Sequence, residues 1–304
     1  MMKTSLDHLP EAKRRELSRV VEILFAEFEE AIAGGTQPFK RKGRILKIIL
    51  FGSYARGDWV EDPKGGYVSD YDLLVVVNSD KLTDPIETWA KADDHLLREY
   101  AISHRLTAPV NFIVHDLNDV NQRLRMGRYF FTDIVRDGVA LYEAEGFPFD
   151  QPKTLEPAEA LKEAQGYFDK WFQSVGGFYR GYQYALNDGD LNKAAFDLHQ
   201  AAERLYHCLL LTLTLWSPKS HRLNFLRSQA EQLDSRLATV WPRATRSDQR
   251  CFELLRRAYV DARYSPQYKI TPEELAWLGE RVSTLKDVVN VVCTDKLAAL
   301  MAGA

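Results

Sequence analysis

Hydrophobic and polar positions follow an alternating order of helix and strand in the first part of the chain. A helical spacing of apolar residues runs through 10–34 and predicts an amphipathic helix. Two dense runs of branched apolar residues follow, RILKIILFGS at 44–53 and DLLVVV at 72–77. Such runs are typical of strands that are covered on both faces. The pattern therefore predicts a sheet packed between helices.

The same order continues to about residue 148. A helical spacing covers 85–105, and PVNFIVH at 109–115 predicts a third strand. A further helix and a short edge strand are expected to close this half. We expect a small mixed sheet with helices on its faces, an α/β (α+β) domain over residues 1–148.

Beyond a stretch at 146–157 that contains proline and glycine, every long segment has a helical spacing. The predicted helices are 157–187, 191–216, 223–235, 247–263 and 272–300. Polar and proline-containing stops separate them. The pattern predicts an all-α antiparallel helical bundle over residues 149–304, joined to the first domain by a linker.

Composition narrows the class of protein without identifying a function. The 304 residues are 45% hydrophobic and 27% charged, with a net charge of −3, which is typical of a soluble globular protein and too mild for a dedicated nucleic-acid binder. No apolar run reaches the ~20 residues of a membrane span, and no secretory signal is visible, so we expect a cytoplasmic protein. The three cysteines have no paired spacing and are expected to be reduced core thiols.

Candidate chemistry lies where the first two strands meet their turns. Gly52 and Ser53 follow one apolar run and would offer backbone N–H groups and a hydroxyl to an oxyanion. Asp70 and Asp72 open the next run, and residues two apart on a strand face the same side. Two converging carboxylates repel each other unless a cation lies between them, and Mg²⁺ accepts such a pair together with substrate phosphates. A solvated turn is the alternative for either motif alone.

The stretch from ILFGSYARGD to SDYDLLVVV, within residues 44–115, resembles the DNA polymerase β-type nucleotidyltransferases. The resemblance implies that Gly52 and Ser53 hold a nucleoside triphosphate, and that Asp70 and Asp72 hold Mg²⁺, or Mn²⁺ in its place, for in-line attack on the α-phosphorus. Arg56 would add positive charge near the phosphates, or be an ordinary loop residue. The EDPKGG insert at 61–66 either reaches over the site or lies on the surface.

The same family places a third carboxylate on the next strand, and the matching position here is Asn111. An amide oxygen can bind Mg²⁺ but cannot act as a general base. Asp116, five residues further on, is the other acidic candidate, although capping of the following helix is the simpler role for it. The sequence therefore leaves open whether catalysis is retained.

The second half resembles the HEPN domains, helical bundles often found with minimal nucleotidyltransferases, in AAFDLHQAAERLYHCLLL (194–211), SPKSHRLNFL (217–226) and RRAYVDARYSPQY (256–268). Ribonuclease members carry an arginine, four to six residues, then a histidine. The helical half has no such spacing, since only two residues separate Arg204 from His207. The order of domains also resembles that of kanamycin nucleotidyltransferase.

Several polar residues interrupt the apolar helices of this half: His199, Glu203, His221, Arg263 and Tyr264. They either form a buried hydrogen-bonded set that ties helices together or line a cleft that contacts the nucleotide or the acceptor. His199 and Glu203 are four residues apart and share a helix face.

These features favour a nucleotidyltransferase that moves NMP, with ATP as the expected donor, to a hydroxyl of a small molecule or a protein. The alternatives are a nucleotide-binding regulatory module that lost its base at Asn111, and a toxin–antitoxin-like fusion. We expect no membrane and no nucleic acid as a partner, and a homodimer is an open option.

Overall fold

The computed structural model describes residues 2–62 and 67–303, which form two compact units. The first comprises residues 2–62 and 67–154, and the second comprises residues 155–303. The first is a mixed sheet with helices and the second is helical, as the hydrophobic pattern predicts.

A four-stranded sheet is the centre of the first unit. Its strands are β1 (Ile45–Phe51), β4 (Tyr71–Val77), β5 (Val110–Asp116) and β6 (Val139–Glu143), arranged in the order β5-β4-β1-β6. β1 is antiparallel to both of its neighbours, whereas β4 and β5 are parallel. β6 is the short edge strand that the sequence predicts. Every residue of β1 and β4 is buried, because helices cover both faces of the sheet.

Helices of the first unit are α1 (Glu11–Ile32), α2 (Pro38–Arg41), α3 (Gly52–Arg56), α4 (Ala90–Ala101), α5 (Leu117–Arg125) and α6 (Tyr129–Asp137), with a 3₁₀ turn at Asp80–Leu82. α1 and α4 pack on one face of the sheet around Leu17, Leu24 and Trp89. α5 and α6 pack on the other face, where the ring of Phe130 meets that of Phe51 on β1. The predicted helix at 85–105 begins later than expected, at Ala90.

A two-stranded hairpin, β2 (Glu61–Asp62) with β3 (Tyr67–Val68), follows α3. The insert at 61–66, predicted either to reach over the site or to lie on the surface, begins in this hairpin, but its residues 63–66 lie outside the described part of the chain.

The second unit contains α7 (Pro157–Asn187), α8 (Leu191–Thr214), α9 (Leu223–Leu233), α10 (Arg246–Arg257), α11 (Asp261–Tyr264) and α12 (Pro272–Ala302), with a 3₁₀ turn at Ser235–Thr239. Long helices α7, α8 and α12 pack against one another around a core that includes Leu198, Leu205 and Leu285. Prolines at the first turn of α7 and α12 and a capping box at Thr271 explain why these helices begin where the sequence predicts.

Cys208, Cys251 and Cys293 are free and buried in this helical unit, as expected for core thiols. A hydrogen bond with Cys293, together with burial, raises the pKa of the Cys208 thiol. Among the described residues, no helix is long and apolar enough to cross a membrane.

Candidate active site

Asp70 and Asp72 flank a residue that points the other way. The Tyr71 hydroxyl donates a hydrogen bond to Glu16 of α1, so its ring lies on the α1 face of the sheet. Asp72 is fully buried and lies in register with Phe51 of β1, whose ring contacts α6 on the opposite face. Alternation along the strand therefore directs both carboxylates to the α5–α6 face, the arrangement expected from the sequence.

Asn111 lies beside this pair. It is in register with Asp72 across the parallel β4–β5 ladder, and paired residues in neighbouring strands share a face. Its Nδ2 donates a hydrogen bond to Oδ2 of Asp70 at 2.7 Å. The structure thus brings two carboxylates and one amide together at the edge of the sheet, with Asn111 only 6% exposed.

Gly52 and Ser53 form the turn at the end of β1, next to Asp72. The sequence analysis placed both residues in the strand, which is wrong, because they are the first residues of the short helix α3. Gly52 has φ of +75°, a conformation that favours glycine, and it redirects the chain sharply at the strand end. First-turn N–H groups have no partner within their own helix, so this turn presents donors together with the Ser53 hydroxyl.

Arg56 is the last residue of α3 and is exposed. Its Nε donates a hydrogen bond to Oδ2 of Asp58 at 3.2 Å, and it contributes to the lowered pKa of Asp137, which is held down chiefly by the hydrogen bond from Arg136. A role at the phosphates remains a prediction for this side chain.

Asp116 has the capping role that the sequence favours. Its carboxylate accepts hydrogen bonds from the N–H groups of Asn118 and Asp119 at the start of α5. Asp116 lies in register with Val77, five residues along β4 from Asp72, so it does not take the position of the third carboxylate that the family resemblance implies.

Oxygen ligands at this edge fit a hard divalent cation. Asp70 and Asp72 supply carboxylates from one face, and Mg²⁺ in proteins is often held by one or two carboxylates together with substrate phosphates. Among the described residues, no group of three or more His, Cys, Asp or Glu side chains is arranged to hold a metal, so an all-protein cage is not found there. The donor set matches a site that is completed by a nucleotide.

In the helical unit, three of the predicted polar residues meet at one point. Glu203 is buried on α8, and both of its carboxylate oxygens lie 3.0 Å from Nδ1 of the exposed His221. His199, one turn earlier on α8, is fully buried with Nδ1 3.7 Å from Glu203. His207, one turn later, places Nδ1 2.6 Å from the Ser217 hydroxyl. One face of α8 thus holds the segment 217–221.

Burial shifts the pKa values of three side chains on this face of α8. It lowers the pKa of His199 to about 3 and that of His207 to about 4, and it raises the pKa of Glu203. The two histidines are therefore neutral at neutral pH, as expected for buried imidazoles.

Tyr259 is the member of this cluster that the sequence analysis did not single out. Its ring stacks on that of His221 with the ring centroids 4.3 Å apart, and the guanidinium carbon of Arg263 lies 4.7 Å from the centroid of the Tyr259 ring. Arg263 also lies 5.0 Å from the ring of Tyr264, which is 73% exposed. Tyr259 lies in the quoted run of basic and aromatic residues, but no spacing rule connects it to His221.

Comparisons with known proteins agree with both units. Residues 36–145 match the family model described as Polymerase beta, Nucleotidyltransferase, and residues 169–292 match the HEPN domain. A protein of Methanocaldococcus jannaschii named Putative protein adenylyltransferase MJ0604 is 35% identical over 103 residues, which cover 34% of this chain and 84% of the relative.

The chain belongs to the polymerase β-type nucleotidyltransferases. The matched region contains Gly52, Ser53, Asp70, Asp72 and Asn111, so the polar groups at the sheet edge belong to the nucleotidyltransferase domain. A HEPN domain follows in the helical unit. The relative's match is about a third of this chain, which leaves most of this nucleotidyltransferase without a counterpart in it.

Proposed function

We propose that this nucleotidyltransferase moves AMP from ATP·Mg²⁺ to a hydroxyl group of a protein side chain. The observation that carries the proposal is the convergence of Asp70, Asp72 and Asn111 on one face of the sheet, next to the Gly52–Ser53 turn. The family membership supports transfer of a nucleotidyl group.

Each residue has a distinct part in the proposed reaction. Asp70 and Asp72 would hold Mg²⁺, which supplies positive charge to the triphosphate when it is bound. The backbone N–H groups after Gly52 and the Ser53 hydroxyl would fix the phosphate oxygens. The acceptor oxygen then forms a bond to the α-phosphorus as the bond to pyrophosphate breaks, and the hydroxyl proton passes to solvent.

A protein acceptor is favoured over a small molecule by the name of the relative, a putative protein adenylyltransferase. The order of domains, which resembles that of kanamycin nucleotidyltransferase, keeps a small-molecule hydroxyl as the alternative acceptor. Incubation with ATP labelled at the α-phosphate, in the presence of a protein extract or of aminoglycosides, distinguishes the two kinds of acceptor. Label on protein supports a protein acceptor, and label on the aminoglycoside supports a small-molecule acceptor.

Calorimetric titration with each NTP, with and without Mg²⁺, tests the site before the acceptor is known. We expect Mg²⁺-dependent ATP binding in the wild type and its loss in both Asp70→Asn and Asp72→Asn, with unchanged circular dichroism. Equal binding by the wild type and both variants would contradict the assignment of these carboxylates.

A second candidate function, a nucleotide-binding regulatory module, is favoured by one contact. The Asn111 amide donates to Asp70 and brings no charge, so the described site has no third carboxylate to act as a base. This candidate predicts that the wild type binds ATP without transferring label to any acceptor, and that Asn111→Asp gains transfer. Turnover by the wild type would exclude it.

A further inference from the structure

We infer that helix α1, which precedes the residues matched to the nucleotidyltransferase family, positions the candidate active site from the opposite face of the sheet. The family match begins at residue 36, whereas α1 ends at Ile32. Polar side chains of α1 reach the three segments that carry Ser53, the Asp70–Asp72 pair and Asn111. We call Lys13, Glu16, Tyr54, Tyr71 and Thr107 the N-terminal brace. The inference rests on the proposed function of these site residues.

Glu16 reaches the segment between the two aspartates. The Tyr71 hydroxyl donates to Oε2 of Glu16 at 3.0 Å, and Tyr71 is fully buried while Glu16 is 8% exposed. Tyr71 lies between Asp70 and Asp72 in the chain. Holding its side chain in place therefore also holds the backbone at the start of β4, which carries both carboxylates.

The same carboxylate also reaches the segment before Asn111. The backbone N–H of Thr107 donates to Oε2 of Glu16 at 3.0 Å, and its hydroxyl lies 2.8 Å from Oε1. Thr107 is exposed and lies four residues before Asn111. The Glu16 side chain of α1 therefore connects two segments of the candidate site, the one that carries Asp70 and Asp72 and the one that leads to Asn111.

Lys13 extends the contacts to the Gly52–Ser53 turn. It lies one helical turn before Glu16, is 7% exposed, and its Nζ donates to the Thr107 hydroxyl at 2.5 Å. It also pairs with Glu61 and lies 5.7 Å from the ring centroid of Tyr54, the residue after Ser53. The rings of Tyr54 and Tyr71 are 4.4 Å apart, so the two segments also pack directly.

These contacts lie on the face of the sheet opposite to the carboxylates. Tyr71 points toward α1, whereas Asp70 is hydrogen-bonded to Asn111 on the other face. The brace residues are therefore positioning residues rather than catalytic ones. Three donors meet the two oxygens of Glu16, and a buried carboxylate that binds several donors is costly to disturb.

Glu16→Gln and Tyr71→Phe test the brace with little change in volume. In the first variant the new amide would have one acceptor oxygen for three donors, and the second variant would lack the phenolic donor. We expect each variant to weaken Mg²⁺-dependent ATP binding about tenfold, because a site that is held less firmly must be ordered when the nucleotide binds. Glu99→Gln is the matched control, since Glu99 is 6% exposed and its carboxylate pairs with Arg19 of α1 and with Arg105, both of which lie outside the three segments. It should lower the melting temperature but leave ATP affinity within about twofold.

Hydrogen exchange measured without nucleotide supplies a readout that a purely structural role would not give. In Glu16→Gln, amide exchange is expected to rise together at 52–56, 70–72 and 107–111. In Glu99→Gln it is expected to rise only where α1 meets α4 and in the loop 103–106 that follows α4. Faster exchange confined to α1, or unchanged ATP affinity in both brace variants, would overturn the positioning role. If the wild type binds no nucleotide, the proposed function is wrong, and the exchange pattern alone decides whether α1 couples the three segments.

Discussion

Asp116 ends β5, and its carboxylate accepts two backbone hydrogen bonds at the first turn of α5. An aspartate in this position satisfies N–H groups that the helix itself cannot pair. Its role is therefore local, although it is an acidic residue near Asn111 in sequence.

Replacing Asp116 by alanine tests this local role. The lost N-cap should lower the free energy of unfolding by about 1 kcal/mol, within the usual range for caps. Mg²⁺-dependent ATP affinity should not change, because Asp116 caps α5 and lies in register with Val77, five residues along β4 from Asp72. Asp116→Asn, which retains a capping oxygen, is the control. Urea denaturation measures the free energy of unfolding, and calorimetry measures the affinity for ATP. A large loss of ATP binding would contradict the local role and indicate that Asp116 belongs to the candidate active site.

His199 and His207 predict how acid affects the helical unit. Burial lowers their pKa values to about 3 and about 4, from an ordinary value near 6.5. A depressed folded-state pKa gives stability that is present above pH ~6.5 and is lost as the pH falls toward the folded-state pKa. Each histidine contributes a slope of up to about 1.4 kcal/mol per pH unit.

Glu203 opposes this trend at the acid end. Burial raises its pKa, so its contribution to stability is present below pH ~4.5 and is lost as the pH rises. We therefore expect the urea midpoint of the wild type to fall between pH 6.5 and 5, where the histidines dominate. His207→Asn should have a shallower fall than the wild type, and His104→Asn, an exposed histidine of the first unit, should match the wild type. Parallel curves for all three proteins would contradict this account.

At the scale of the helices, close packing in the second unit depends on small residues. A methyl group built on Gly279 of α12 would lie 2.4 Å from the hydroxyl oxygen of Tyr182 on α7. That hydroxyl donates to the carbonyl oxygen of Leu275 at 3.2 Å, which holds the ring in place. Gly279 therefore allows α7 and α12 to approach.

Gly279→Ala should destabilise the protein although alanine is the better helix former. The overpacked contact is expected to cost roughly 1–3 kcal/mol, which exceeds the ~1 kcal/mol gained from helix propensity. Gly177→Ala on α7 is the matched control, since nothing lies within 4 Å of its added methyl group, and it should stabilise by about 1 kcal/mol. Thermal unfolding should show a lower melting temperature for Gly279→Ala and a higher one for Gly177→Ala. Stabilisation by both substitutions would contradict the packing argument.

The elements differ in how far their sequences determine them. Helices α7 and α12 begin where predicted because prolines mark their first turns. The run 44–53 predicts a strand that includes Gly52 and Ser53, because an apolar run gives no sign of its last residue. The observed turn depends on the positive φ of Gly52. The brace contact of Glu16 with Thr107 spans 91 residues, and no local spacing encodes it.

At the scale of the whole chain, the alternation of apolar and polar residues is sufficient to predict two units of different class. It also places Asp70 and Asp72 on one face, since that follows from strand geometry alone. The parallel pairing of β4 with β5, which brings Asn111 to Asp70, depends on a long crossover and is not contained in either strand. The cluster of His221 with Tyr259 has the same non-local origin.

The positions of the cysteines allow unfolding of the helical unit to be measured through its own thiols. All three thiols are buried there, and the nucleotidyltransferase unit contains none. A thiol-modifying reagent added to the native protein should therefore label only molecules in which that unit has opened, at a rate set by its local unfolding. Mass spectrometry would count the labels, and rapid modification of Cys208 under native conditions would contradict its burial. Half of this molecule can thus be followed kinetically without introducing a probe.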